Sequence, residues 1–155
     1  MFEVEEETLE WADLRGWWLP VKRFSPSARI PTRAHDTDAG LDLYADEGVY
    51  LEPLCYALID TGIGVELLPN TYGQILGRSS LAMKWVFTIG GVIDAGYRGP
   101  LKVGLANMGN ERLCITRGMK IAQLVVIRID LPHPTEVTEL GDAERGEKGF
   151  GSSGQ

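Results

Sequence analysis

Hydrophobic alternation with a period of two recurs along most of this chain, in short runs separated by turn-forming residues. Val49 to Leu51, Cys55 to Ile59, Ile63 to Leu67 and Tyr72 to Leu76 follow one another closely, divided by Pro53, Gly62, Pro69 and Asn70. Strands this short at this spacing predict an all-β sandwich or barrel rather than alternating βα units. Upstream, VKRF from Val21 reads as one more strand, followed by a proline-punctuated loop. Leu41, Leu43 and Ala45 then alternate with Asp42 and Tyr44, which sets Asp42 on the face opposite the leucines. There it is either a solvent-facing strand acid or a carboxylate near a cation.

GRSSLAMK, Gly77 to Lys84, breaks the pattern. Ser79 or Ser80 is a good N-cap for the helix formers Leu81 to Lys84, so this is the place for one short internal helix. A helix N-terminus beside Arg78 and two hydroxyls suits an anion. The next stretch, GGVIDAGYRG, delivers Asp94 from the apolar residues Val92 and Ile93 into a turn that Gly96 makes permissive. Tyr97 follows, and Gly99-Pro100 restarts a strand with Leu101, Val103 and Leu105. The expected geometry is a hairpin presenting one carboxylate and one ring. It reads as a water-activating site with a flat surface for a sugar or base, or as a turn whose acid satisfies its own amides while Tyr97 packs on the hairpin. Beyond Leu113 to Ile115, a long strand lies within Arg117 to Ile129. Gln123 interrupts its apolar run and needs partners, either backbone groups or a ligand.

Composition narrows the function. At 155 residues the chain is one domain's length, and 19 glycines suit tight turns better than a helical bundle. A net charge of −7 argues against binding a nucleic-acid backbone. It leaves room for a small polyphosphate, provided Arg, Lys and backbone N–H groups converge on it with a divalent cation. No apolar run is long enough to span a bilayer and no leader is evident, so the expectation is a soluble, unexported protein without a membrane partner. Its location would be cytoplasmic, or the host-cell interior if viral. Cys55 and Cys114 sit in apolar runs and read as reduced core residues. His35 and His133 are isolated, which disfavours a zinc site, a His-dependent triad and a zinc deaminase.

The ends are distinct. Met1 to Leu19 is acidic and carries Leu9, Leu14 and three tryptophans, with a short helix possible from Thr8 to Arg15; it either packs on the domain or docks on a partner. RGEKGFGSSGQ, from Arg145, is either a disordered tail or a lid. As a lid, Arg145 would meet phosphate, Phe150 would stack, and the small residues would bring N–H groups to oxyanions.

Five strings in order, DAGLDLYA, GRSSLAMK, GGVIDAGYRG, RGMKIAQLVV and RGEKGFGSSG, make the chain resemble the trimeric dUTPase family, whose members split dUTP into dUMP and pyrophosphate. They run from about Asp38 to Gly154. The resemblance implies a jelly-roll-like β-barrel with one short internal helix and a flexible C-terminal arm. On that basis residues 1–19 are an N-terminal extension, 20–140 the barrel domain, and 141–155 an arm closing over a neighbouring subunit's active site. It further implies a homotrimer with three sites between subunits, Mg2+ as cofactor, and a role in limiting dUTP and supplying dUMP for thymidylate synthesis.

Carried onto this sequence, the resemblance makes Asp94 the residue that deprotonates the attacking water, in line with the α-phosphorus. Gly91, Val92 and Ile93 would read the uracil edge, and Tyr97 would sit under the deoxyribose and exclude a ribose hydroxyl. Arg78, Ser79, Ser80 and Gln123 match phosphate-chain positions, and Lys102 is a further substrate contact. Asp42 would hold water ligands of the Mg2+. Arg145, Phe150, Gly151 and Ser152 match the arm's phosphate and uracil contacts. Gly77, Ser80, Gly96 and Lys148 depart from frequent family residues. The same-fold rival, dCTP deaminase, also carries an RSSLA string, but its catalytic glutamate aligns with Gly104. A second alternative is a dUTPase-fold protein with an added regulatory role that binds a protein partner.

Overall fold

The computed structural model describes residues 18–142. The helix expected over Thr8 to Arg15, and the arm residues Arg145, Phe150, Gly151 and Ser152, lie outside them. In chain order the described elements are β1 (Val21–Arg23), β2 (Leu41–Tyr44), β3 (Val49–Leu51), β4 (Tyr56–Asp60), β5 (Ile63–Val65) and β6 (Thr71–Leu76). They continue with α1 (Ser79–Ala82), β7 (Val86–Ile89), β8 (Val92–Asp94), β9 (Lys102–Asn107), β10 (Leu113–Ile115) and β11 (Lys120–Arg128). The architecture is all-β with one short helix, as the pattern of the runs predicts, and jelly-roll-like, as the resemblance implies.

Every strand pairing is antiparallel. The sheets run β2-β11-β6-β8, β4-β9-β7, β1-β5 and β10-β3. Alternation explains how they enclose one core. On β6, Thr71, Gly73 and Ile75 point inward while Tyr72, Gln74 and Leu76 face out. The core joins Leu43, Leu51, Ile59, Val65, Ile121 and Leu124 from the four sheets. Among the described residues no helix is long and apolar enough to cross a membrane.

Three local expectations are overturned. The segment around Asp94 is not a paired hairpin: β8 lies against β6, whereas β9 pairs with β7 and β4. The chain changes sheets at Gly90 and Gly91, whose φ angles of 70° and 110° favour glycine. There Ile75 donates its N–H to Gly91 O at 2.7 Å, and a β-carbon on Gly91 would stand 2.7 Å from Ile75 O. The permissive glycines are therefore these two, and Gly96 is absent from the positive-φ positions.

The second concerns α1, which is capped by Arg78 in extended conformation without a side-chain cap bond. Leu81 and Ala82 both donate to Arg78 O at 3.0 Å, so the first turn closes one residue before the serines, which stay exposed. Third, both cysteines are exposed rather than buried. Inward alternation on β10 belongs to Leu113 and Ile115, which turns Cys114 outward. Cys55 follows Leu54, where a positive φ of 58° redirects the chain before β4.

Candidate active site

Two clusters of the candidate residues form, one along the β6-β8 pairing and one beyond the C-terminal end of β6. The first surrounds Asp94. Val92, Ile93, Asp94, Tyr97 and Lys102 line one cavity of about 250 Å³, together with Pro100 and Leu101. Asp94 is the last residue of β8, opposite Tyr72 of β6. A turn closes behind it as Tyr97 N–H donates to Asp94 O at 3.0 Å. No side-chain hydrogen bond or ion pair among the described residues engages the Asp94 carboxylate, which is exposed. It therefore does not satisfy its own turn amides, and its oxygens face water and the cavity.

Tyr97 is oriented by two contacts. Its hydroxyl donates to Pro100 O at 3.0 Å, and its ring covers Gly99, where a β-carbon would stand 2.7 Å from Tyr97 Cζ. Lys102 pairs with Asp60 across β4 and β9, Nζ to Oδ2 at 3.2 Å. The cavity is smaller than those that enclose a whole drug-sized ligand, typically upward of about 300 Å³. It fits one end of a nucleotide and leaves the other end to be held elsewhere. A second cavity of about 550 Å³ flanks the same turn, lined by Trp18, Leu68, Ala95, Gly96, Glu66 and Arg98 among others. Its charged groups, Glu66 and Arg98, are paired with each other, so it offers no free acid or base.

The second cluster surrounds Asp42, which is 8% exposed and so is not the solvent-facing strand acid that alternation allowed. Arg78 donates through Nη1 to Asp42 Oδ1, and Lys120 Nζ lies 2.6 Å from Oδ2. The backbone explains the meeting. Gln123 faces Asp42 across β11 and β2, and an irregularity between Lys120 and Ala122 resets the register so that Lys120 faces Tyr44, diagonal to Asp42. Gln123 finds a backbone partner, donating Nε2 to Gly77 O at 3.0 Å. That bond ties β11 to the loop carrying Arg78, Ser79 and Ser80. Lys120 was not among the sequence candidates, because only the irregular register reveals its neighbour.

Within one chain Asp94 and Arg78 are set well apart along the backbone of β6 and the residues after it. Asp94 pairs with Tyr72, six residues before Arg78, which at the rise of an extended strand is about 20 Å. Among the described residues no group of three His, Cys, Asp or Glu side chains is placed to hold a metal ion. Gly104, aligned with the deaminase glutamate, is buried in β9, and a β-carbon there would stand 2.7 Å from Ile89 O.

Comparison with known proteins follows the same lines. The family model described as dUTPase matches residues 26–154. A deoxyuridine 5'-triphosphate nucleotidohydrolase of Clostridium kluyveri is 49% identical over 139 residues, covering 88% of this chain and 97% of the relative. One of Clostridioides difficile is 46% identical over 139 residues, with 88% and 97% covered. Among solved structures, a mutant dUTPase of Staphylococcus bacteriophage 80alpha with dUpNHpp has a TM-score of 0.83 at 35% identity, covering 89% of this chain and 99% of that one. A mutant dUTPase from phage phi11 of S. aureus, described as showing the coordination of a structural Mg(II) ion, has a TM-score of 0.75 at 31% identity, with 79% and 97% covered.

Proposed function

The chain belongs to the dUTPase family, and from that membership we propose that it hydrolyses dUTP to dUMP and pyrophosphate in the cytoplasm, at composite sites shared within a homotrimer. The observation that carries this reading is the single cavity that joins the unpaired Asp94 carboxylate to the Tyr97 ring and the β8 backbone.

In this mechanism the nucleoside end enters the cavity. The backbone of Gly91, Val92 and Ile93 reads the uracil edge, and the Tyr97 ring fills the space a ribose 2'-hydroxyl needs. Asp94 orients a water and accepts its proton as the oxygen attacks the α-phosphorus in line, with pyrophosphate leaving. Lys102 supports the same pocket. Arg78, Ser79, Ser80 and Gln123 hold the phosphate chain. Arg145, Phe150, Gly151 and Ser152, in an arm at 141–155, close over a neighbour's site.

The residues present fit Mg2+ carried in with the triphosphate. One carboxylate builds no cage, and Mg2+ ordinarily keeps waters and takes its other ligands from phosphates. Asp42 already lies between two cationic groups and has lone pairs left to accept from the ion's water shell. When bound, the ion neutralises triphosphate charge and orients its oxygens.

The trimer rests on a separate feature. The outer face of β4-β9-β7 carries two apolar rows, Tyr56–Ala106–Phe87 and Leu58–Gly104–Ile89, with Tyr56 72% and Leu58 62% exposed. A contiguous apolar face of this kind calls for cover, and other copies of this chain would also bring an Asp42 cluster to each Asp94 cavity. The test is pyrophosphate release with dUTP, dCTP, dTTP and UTP. Only dUTP is turned over well; ammonia release from dCTP would instead establish a deaminase.

A further inference from the structure

We infer that Arg98 is a positioning residue for hydrolysis, holding the Asp94–Tyr97 turn in working geometry; the inference rests on the function proposed above. The turn carries the proposed base at one end and the sugar-facing ring at the other. Its closing hydrogen bond runs from Tyr97 N–H to Asp94 O at 3.0 Å, which leaves the Ala95 and Tyr97 carbonyls to be held by something else. Arg98 Nη1 donates to both, at 2.5 and 3.1 Å, and Nη2 donates to Glu66 Oε1 at 3.3 Å. Glu66 is itself anchored, its N–H donating to Pro20 O at 3.0 Å. One planar guanidinium thus straps two successive points of the turn to the segment after β5.

Packing holds the turn at one point, Ala95, which is half-buried against the core. Ala95 and Gly96 face the 550 Å³ cavity on one side, and Asp94 and Tyr97 face the 250 Å³ cavity on the other. With open space on both flanks of the remaining turn residues, the Arg98 hydrogen bonds add the restraint that packing at Ala95 alone does not give. Lysine offers a single ammonium in place of the fork and cannot reproduce all three contacts. The Arg98 and Glu66 side chains are 51% and 60% exposed. An ion pair that open adds little to global stability, so its loss should register in catalysis and local order rather than in folding.

The experiment uses the full chain and its Arg98→Met, Arg98→Lys and Glu66→Gln variants. Arg98→Met should lower kcat for dUTP by about tenfold to a hundredfold, the scale of a misplacement near 1 Å. KM should stay within about threefold, and melting temperature and assembly mass should match the parent. Arg98→Lys should fall between, and Glu66→Gln should lose less. Hydrogen exchange supplies a readout independent of turnover: the Tyr97 amide, whose bond to Asp94 O closes the turn, should exchange at least about tenfold faster in Arg98→Met, with the β6 and β11 amides unchanged. Unaltered exchange across the turn overturns the inference whatever the activity. So does a parent-like kcat, or a kcat loss that merely tracks a lower melting temperature. A parent chain inert toward dUTP would instead defeat the proposed function, and the exchange result would still decide the strap.

Discussion

The ring of Tyr97 lies so close over Gly99 that a β-carbon on Gly99 would stand 2.7 Å from Tyr97 Cζ and 3.1 Å from Cε2. Glycine here is a steric requirement of the ring's position, which the hydroxyl's bond to Pro100 O also fixes. Gly99→Ala must push the ring toward the cavity or shift the backbone, a distortion of about 1–3 kcal/mol. Expected is a fall of about tenfold in kcat/KM for dUTP with a much smaller change for UTP, so that discrimination between the two narrows. Equal losses for both substrates would show that the ring does not set sugar selectivity.

Asp94→Asn tests the proposed base. The amide keeps the shape of the carboxylate but accepts no proton, and general-base catalysis contributes about 10²–10⁴-fold. Expected is a kcat lower by about a thousandfold, with a non-hydrolysable dUTP analogue still binding within a few-fold of the parent by calorimetry. Among the described residues no hydrogen bond or ion pair holds this side chain, so the melting temperature should not move.

Sequence pattern made the strand inventory legible because strands such as β6 and β10 bury one face, and the period-two alternation reports that face directly. Val92, Ile93, Asp94 and Tyr97 line one cavity because they are near neighbours in the chain, whereas Lys102, which lines it too, was reached only through the family resemblance. Pairing partners were not legible. Whether β8 joins β9 or β6 depends on backbone dihedrals at Gly90 and Gly91, and glycine permits either choice. Asp42 was left open between two readings for a related reason. Alternation places it opposite the leucines, but the Arg78 loop and the shifted Lys120 cover that face, and neither is local in sequence. The cysteines failed on parity: apolar neighbours mark a strand, and only strand register says which side each residue takes.

The Asp42 cluster makes a stability prediction. With Asp42 changed to Asn, Arg78 and Lys120, themselves partly exposed, lose the charge of the buried carboxylate they share. Expected is a loss of about 1–3 kcal/mol in urea unfolding, the usual scale for a charged partner removed from a buried hydrogen bond. The Mg2+ concentration giving half-maximal dUTP turnover should rise in the same variant. A stability loss without that rise would confine Asp42 to a structural role.

Shared sites make the most demanding prediction. Arg78 lies six residues beyond Tyr72, the partner of Asp94, a backbone span of up to about 20 Å, so an Arg78→Ala chain and an Asp94→Asn chain damage different halves of each site. If the halves come from different chains, co-refolding an equal mixture of the two inactive proteins should rebuild roughly a quarter of the sites from one sound half of each, by random cyclic assembly. Mixing without refolding should restore nothing while trimers stay intact. The apolar face supplies the control. Leu58→Glu places a charge in the middle of the β4-β9-β7 rows, where burial between copies would be costly. That variant should sediment as a monomer, keep its fold by circular dichroism, and neither turn over dUTP nor take part in complementation. A monomeric Leu58→Glu protein with full activity would show that one chain completes its own site, and the span between Arg78 and Asp94 would then have to close by movement within the chain.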